Sequence, residues 1–187
     1  MNKLRRMNYE NNEKVSGGSI GSDSHSPAVS VWRKKAEAIM YSEFVANFKG
    51  MLSQLPEYDF TEQGEEDLED GAWKLYTSAI HNKILDFTWS IKVSCKVVGD
   101  NKEEARLVIL TGSENTYLST NFALLSRYLY ISMGLPEMSD DEFYGKLKFF
   151  EDRPVFENAI LGDWEITYMA GHDLIFTILK MDNQSGV

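Results

Sequence analysis

The stretch LDFTWSIKVSCKV, from Leu85 to Val97, decides the fold of this 187-residue chain. Every odd-numbered residue in it is apolar, and every even-numbered residue is polar. Side chains alternate between the two faces of a strand, so this period of two predicts a long β-strand with one buried and one exposed face. Such a strand is typical of an antiparallel sheet, because parallel strands are generally covered on both sides.

Five more segments are predicted to be strands from their branched and aromatic residues and from the turns that separate them. They are residues 72–80, 105–111, 155–161, 163–170 and 174–181. Residues 105–111 and 174–181 are apolar on both faces, which favours interior positions in the sheet. Tight turns between consecutive strands favour antiparallel pairing. The predicted fold class is therefore α+β, with a largely antiparallel sheet of five to six strands.

The apolar period becomes helical between residues 31 and 54. Ser30 is a candidate N-cap, and Pro56 is expected to stop this N-terminal helix. Its apolar stripe is expected to pack on the sheet, and docking of a partner on it is the alternative interpretation. The stripe consists of Trp32, Ala36, Met40, Phe44, Phe48, Met51, Leu52 and Leu55.

Two mid-chain helices are predicted to pack on the same face of the sheet. Residues 120–133 carry apolar side chains along one side and are followed by Gly134, a common helix stop. Ser139 and Glu142 match a capping box, which predicts a second helix from residue 140 to about residue 150.

Three regions follow from the composition. Residues 1–29 are rich in Ser, Gly and Asn, and we expect them to form a disordered polar tail. Residues 30–182 are expected to form a single α+β domain, the default for this length. Residues 183–187 are short and polar, and fraying is expected there.

Charge and cysteine content exclude several classes of protein. The net charge is −10, with 29 acidic and 19 basic residues, so no basic footprint for nucleic acid or for an anionic membrane surface is visible. Cys95 is the single cysteine, which rules out an internal disulfide. The chain shows no apolar run of about 20 residues and no secretory signal, so we expect a soluble cytoplasmic protein without membrane insertion.

The segment from residue 57 to residue 70 is the most biased part of the chain. Eight of its 14 residues are acidic and none is basic. We predict a solvated acidic loop here, and we expect it to bind a basic protein partner. The candidate partner-binding residues are Glu57, Asp59, Glu62, Glu65, Glu66, Asp67, Glu69 and Asp70.

A calcium loop is the alternative interpretation of this segment. Oxygen-bearing side chains from Asp59 onward and Gly64 at the turn position partly match a twelve-residue calcium loop. Gln63 and Glu66 fit their positions poorly, and Asp70 is too short for the bidentate glutamate that usually ends such a loop. The sequence therefore predicts no metal site and no cofactor.

The remaining chemistry is sparse. His25, His81 and His172 show no metal-ligand spacing, and the chain has no nucleophile elbow and no phosphate-binding loop. His172 and Asp173 are the only adjacent histidine–carboxylate pair, and neighbours in a turn rarely form a catalytic pair. Whether the chain is an enzyme stays open, and the residues favour a non-enzymatic role.

Three functions are compatible with these residues. The first is a protein-binding module, such as a chaperone, an adaptor or an immunity-type inhibitor, that meets a basic partner through its acidic surface. The order of elements and the acidity resemble those of small secretion chaperones, although no motif carries the resemblance. The second is a tethered extracytoplasmic domain of a surface protein. The third is an enzyme or small-ligand binder with a site between sheet and helices.

Overall fold

The computed structural model describes residues 38–100, 102–113, 119–151 and 155–182. Within them lie three α-helices and seven β-strands. In chain order they are α1 (Tyr41–Leu52), β1 (Tyr58–Leu68), β2 (Trp73–Asn82), β3 (Phe87–Val98), β4 (Lys102–Ser113), α2 (Ser119–Ser132), α3 (Asp140–Lys146), β5 (Val155–Leu161), β6 (Trp164–Ala170) and β7 (Asp173–Lys180). The predicted tail and the predicted frayed end both lie outside the described residues.

The seven strands form one sheet in the order β1-β2-β3-β4-β7-β6-β5, and every neighbouring pair is antiparallel. The predicted α+β class is confirmed, and the strand count exceeds the predicted five to six by one. The extra strand is β1, because the predicted acidic loop is an extended segment that pairs with β2 from Tyr58 to Leu68. An edge strand needs only one neighbour and tolerates charged side chains. The acidic composition of this segment therefore predicted a loop where the structure has a strand.

The central strand is confirmed as β3, with the predicted alternation. Trp89, Ile91, Val93 and Cys95 are buried, whereas the even-numbered lysines of the strand are exposed. The prediction was wrong at its first two residues, because Leu85 and Asp86 belong to the β2–β3 turn. The Asn82 side-chain oxygen accepts hydrogen bonds from the backbone N–H groups of Ile84 and Leu85 at 2.9 and 3.0 Å. These bonds curl the chain before the strand begins.

Helix α1 starts later than the sequence predicted. Its predicted first turns and the Ser30 cap lie outside the described residues, and residues 38–40 are not helical. Ala105 donates its backbone N–H to the Ile39 carbonyl at 3.0 Å, and Met40 forms an isolated bridge with Glu104. Pairing with β4 therefore holds this segment extended up to Tyr41. The helix also ends at Leu52, before the predicted stop at Pro56.

Helices α2 and α3 are held together at the start of α3. The Ser139 hydroxyl accepts the Glu142 backbone N–H at 3.2 Å, which confirms the serine half of the predicted capping box. The Glu142 carboxylate pairs with Lys146 at 2.9 Å. Arg127 of α2 donates to Asp140 at 2.9 Å and to the Met138 carbonyl. Helix α3 ends at Lys146, earlier than predicted, and no helix among the described residues is long and apolar enough to cross a membrane.

All three helices cover the same face of the sheet. Phe44 and Phe48 of α1, Phe122 of α2 and Phe143 of α3 are at most 1 % exposed and belong to one core with the inward side chains of the strands. The described part of the apolar stripe on α1 therefore packs inward, as predicted. Among the described residues, no helix covers the opposite face, which we call the open face.

Candidate functional site

The structure gathers the predicted partner-binding residues along one edge of the sheet. Five of these carboxylates lie on β1, Glu57 directly precedes the strand, and Glu69 and Asp70 lie in the short 3₁₀ turn that follows it. Seven of the eight are exposed, and Glu57 is half-buried. We call this set, made up of Glu57, Asp59, Glu62, Glu65, Glu66, Asp67, Glu69 and Asp70, the acidic edge.

Carboxylates project from both faces of β1. Asp59 and Glu66 pair with His81 and Leu75, whose side chains lie on the open face. A register shift between Glu62 and Gly64 interrupts the ladder, and a β-bulge of this kind twists a strand and re-aims its side chains. Beyond it, Glu65 and Asp67 lie on the helix-covered side, opposite Tyr76 and Lys74. The acidic edge is therefore charged on both of its sides.

Lysines neutralise only part of the acidic edge. Lys83 contacts Asp59 at 3.1 Å, Lys49 contacts Glu62 at 2.5 Å, and Lys74 lies 3.9 Å from Glu65. These pairs are largely solvent-exposed, so each contributes at most about 1 kcal/mol. Within the described residues, no ion pair reaches the other five carboxylates: Glu57, Glu66, Asp67, Glu69 and Asp70.

The tip of the β1–β2 hairpin adopts an uncommon backbone conformation. Glu69, Asp70 and Gly71 have φ values of 50°, 53° and 84°. Glycine adopts this left-handed region without strain, aspartate does so occasionally, and glutamate rarely does. Three consecutive left-handed residues turn the chain sharply, and this places two carboxylates at the tip.

The calcium-loop interpretation is wrong for this segment. A calcium loop wraps its oxygen ligands around one ion, whereas the residues from Asp59 to Leu68 form an extended strand whose side chains point in opposite directions. Among the described residues there is no cluster of three or more histidine, cysteine, aspartate or glutamate side chains that could hold a metal.

Behind the acidic edge lies a hydrogen-bonded group centred on Glu103. Tyr76 donates its hydroxyl to this carboxylate at 2.6 Å, and Lys74 contacts it at 3.1 Å. Burial, the hydrogen bond to Glu103 and the charge of Glu103 all raise the pKa of Tyr76. Tyr41 stacks on the Tyr76 ring with centroids 3.7 Å apart, which joins α1 to β2. These contacts give Glu103 a structural role in positioning β2.

Nucleophilic chemistry finds little support in the described residues. Burial raises the pKa of the Cys95 thiol to about 12, so the thiolate needed for reactivity is scarce at neutral pH. His172 and Asp173 are exposed and form no hydrogen bond or ion pair with each other. His81 approaches the Thr88 hydroxyl at 3.2 Å and Asp86 at 3.9 Å on an exposed hairpin, where water reaches all three side chains.

The layer between sheet and helices is filled by side chains. Its largest members, among them Trp89, Trp164 and Tyr130, are at most 1 % exposed. The two buried serines of α2, Ser126 and Ser132, donate to carbonyls one turn earlier in the same helix. This packing does not favour a ligand site between sheet and helices.

Sequence reasoning missed a second surface, which lies on the open face toward β5, the edge strand farthest from β1. On the open face, β4, β7, β6 and β5 present a run of apolar side chains, and on the edge strand β5 Phe156 is 68 % exposed and Ile160 is 65 % exposed. The signal was the apolar character of residues 105–111 and 174–181 on both faces. The apolar run consists of Leu107, Ile109, Phe156, Ile160, Met169, Ile175 and Leu179.

Compared with protein-family models, with curated proteins and with solved structures, the chain matches none. The described residues form an α+β fold with one antiparallel sheet, and its two edge strands carry the distinctive surfaces.

Proposed function

We propose that this chain is a non-enzymatic protein-binding module, of the chaperone, adaptor or inhibitor kind, whose acidic edge meets a basic partner. One observation supports the proposal most directly. Eight carboxylates lie on β1 or directly beside it, and within the described residues this strand pairs with β2 on one side only. The free side of such a strand presents unpaired backbone N–H and C=O groups to a partner.

Backbone and charge select the same kind of partner. An extended segment that adds to β1 gains main-chain hydrogen bonds, as in other cases of strand addition. Lysine or arginine side chains on that segment meet carboxylates on both faces of β1. A second copy of the acidic edge is repelled, because like charges placed across a strand pair are destabilising.

Electrostatic attraction also raises the rate at which a basic partner associates with the acidic edge. The chain has a net charge of −10, and no ion pair among the described residues reaches five carboxylates of the acidic edge. The acidic edge therefore attracts cations over about a Debye length, roughly 8 Å at physiological salt. Such steering raises association rates more than it lowers dissociation rates. The same charge disfavours nucleic acid as the partner.

A matched pair of variants tests the acidic edge. The first neutralises Glu65, Glu66, Asp67, Glu69 and Asp70 to glutamine or asparagine. The control makes the same change at five exposed carboxylates elsewhere: Glu43, Glu137, Asp141, Glu151 and Asp173. Both variants change the net charge equally, so only the position of the charge differs.

The probe is a ten-residue peptide with lysines at both odd and even positions, so that an extended conformation presents them on both faces, and its binding is followed by stopped flow at several salt concentrations. A peptide of equal charge interrupted by prolines serves as its partner control, because proline cannot donate to a strand ladder. We expect slower association at low salt for the acidic-edge variant only, and weaker binding of the proline peptide. Equal rates for both variants would remove the acidic edge as the binding site. Equal binding of both peptides would leave charge attraction without strand addition.

A further inference from the structure

The strand β5 forms the other edge of the sheet and has the opposite chemical character to the acidic edge. Within the part of the chain that the structure describes, β5 pairs with β6 on one side only. Its most exposed apolar side chains are Phe156 and Ile160, and both lie on the open face. Glu157 is its one charged residue, and Lys148 neutralises it at 2.8 Å. This edge carries none of the unpaired charges that protect β1 against pairing with another strand.

The exposed apolar residues of β5 are placed symmetrically about its midpoint. The strand runs from Val155 to Leu161, so Asn158 is its central residue. Phe156 and Ile160 lie two residues on either side of it, on the same face. In an antiparallel pair with a two-fold axis at Asn158, Phe156 of one copy faces Ile160 of the second copy. Glu157 then faces Ala159 of the second copy, so two glutamates do not meet.

We propose that β5 pairs with β5 of a second copy of this chain, which joins two seven-stranded sheets edge to edge. The pairing satisfies backbone groups that are otherwise left to water, and it buries the two most exposed apolar side chains of the strand. Aromatic–branched pairs across antiparallel strands are stabilising. The acidic edges remain at the two outer ends of the combined sheet, so the dimer and the binding of a basic partner are compatible and independent.

The size of the contact sets its strength. Two phenylalanines, two isoleucines and the paired backbones bury on the order of several hundred Å². Specific stable interfaces bury about 1,200–2,000 Å² in total, and smaller ones are typical of transient complexes. The dimer therefore dissociates on dilution and re-forms at high protein concentration.

Sedimentation of the full chain over a wide concentration range tests the dimer. We expect Phe156→Glu to raise the dimer dissociation constant by about tenfold or more, because it buries two unpaired carboxylates in a small apolar contact. Ile84→Glu is the control: Ile84 is 79 % exposed in the β2–β3 turn, far along the sheet order from β5. A chain that stays monomeric at every concentration overturns the proposal, as does a dimer that both variants weaken equally.

Cross-linking tests the register without relying on a destabilised interface. Asn158→Cys places two thiols across the two-fold axis, where directly opposed residues have Cα atoms about 4.5–5.5 Å apart, within disulfide range. Phe156→Cys is the control, because its copies lie about 13 Å apart along the strands in this register. Native Cys95 is 0 % exposed and does not compete. We expect an oxidised dimer from Asn158→Cys alone, and a dimer that forms without this cross-link places the interface elsewhere.

Discussion

At the scale of single residues, Trp89 and Lys92 show how strongly the two faces of β3 differ. Trp89 is 0 % exposed, whereas Lys92 is exposed on the open face. We expect Trp89→Ala to lower the free energy of unfolding by about 3–5 kcal/mol, the range for removing a buried large aromatic side chain. Lys92→Ala should change it by less than about 0.5 kcal/mol. Urea unfolding curves of both variants measure this, and equal losses would mean that the two faces are assigned wrongly.

At the scale of elements, the start of α3 depends on one hydroxyl. Ser139 accepts the Glu142 backbone N–H, and the glutamate half of the capping box is diverted to Lys146. We therefore expect Ser139→Ala to lower the free energy of unfolding by about 1 kcal/mol, the typical value for one lost N-cap.

Ser42→Ala provides the control for this change. Ser42 is exposed in the first turn of α1, and no hydrogen bond of its hydroxyl is present among the described residues. Alanine is at least as good a helix former as serine, so this variant should be neutral or slightly stabilising. A loss at Ser42 equal to that at Ser139 would show that the α3 cap contributes nothing specific.

The two edge strands of the sheet, β1 and β5, differ in how they are protected against pairing with other chains. Edge strands present unpaired backbone groups, and proteins commonly protect them with charge. In this chain β1 is protected in that way and β5 is not. The difference directs a basic partner to one edge and a second copy of the chain to the other, and this follows from strand order rather than from either strand alone.

At the scale of the whole molecule, the core resists ionisation at high pH. Burial is the main cause that raises the pKa values of Tyr41, Cys95 and Tyr130 to about 12. Their unfolded values are 10.0 for tyrosine and 9.0 for cysteine. Between the unfolded and folded values, the unfolded chain has released protons that the folded chain still holds. Stability from these groups is therefore complete below about pH 9 and is lost as the pH rises toward 12.

We expect the urea midpoint to stay level from pH 8 to about pH 9 and to fall from there to pH 11. Cys95→Ala should remove the part of the fall that begins near pH 9 and leave the tyrosine part that begins near pH 10. Tyrosine absorbance, followed in the same titration, reports when the phenols ionise. A midpoint that stays constant to pH 11 would contradict this account of the core.

The local patterns of the sequence were sufficient for much of the fold. The alternation in β3, the helical period before Pro56 and the Ser139 cap each depend on residues close together in the chain, so the α+β class was predictable. The acidic run was equally visible, and so was its role as a candidate binding surface. The extended conformation of the acidic run was not predictable, because pairing with β2 outweighed the low strand propensity of its glutamates and aspartates.

The tertiary structure alone decided what distant residues do to one another. A Cβ atom on Gly112 would lie 2.7 Å from the Trp89 ring, so glycine is required there for a reason that its own strand does not reveal. The segment before Tyr41 is extended because it meets β4, and β5 is an edge because β6 and β7 return beside β4. Such contacts join residues far apart in sequence, and periodicity and composition describe only near neighbours.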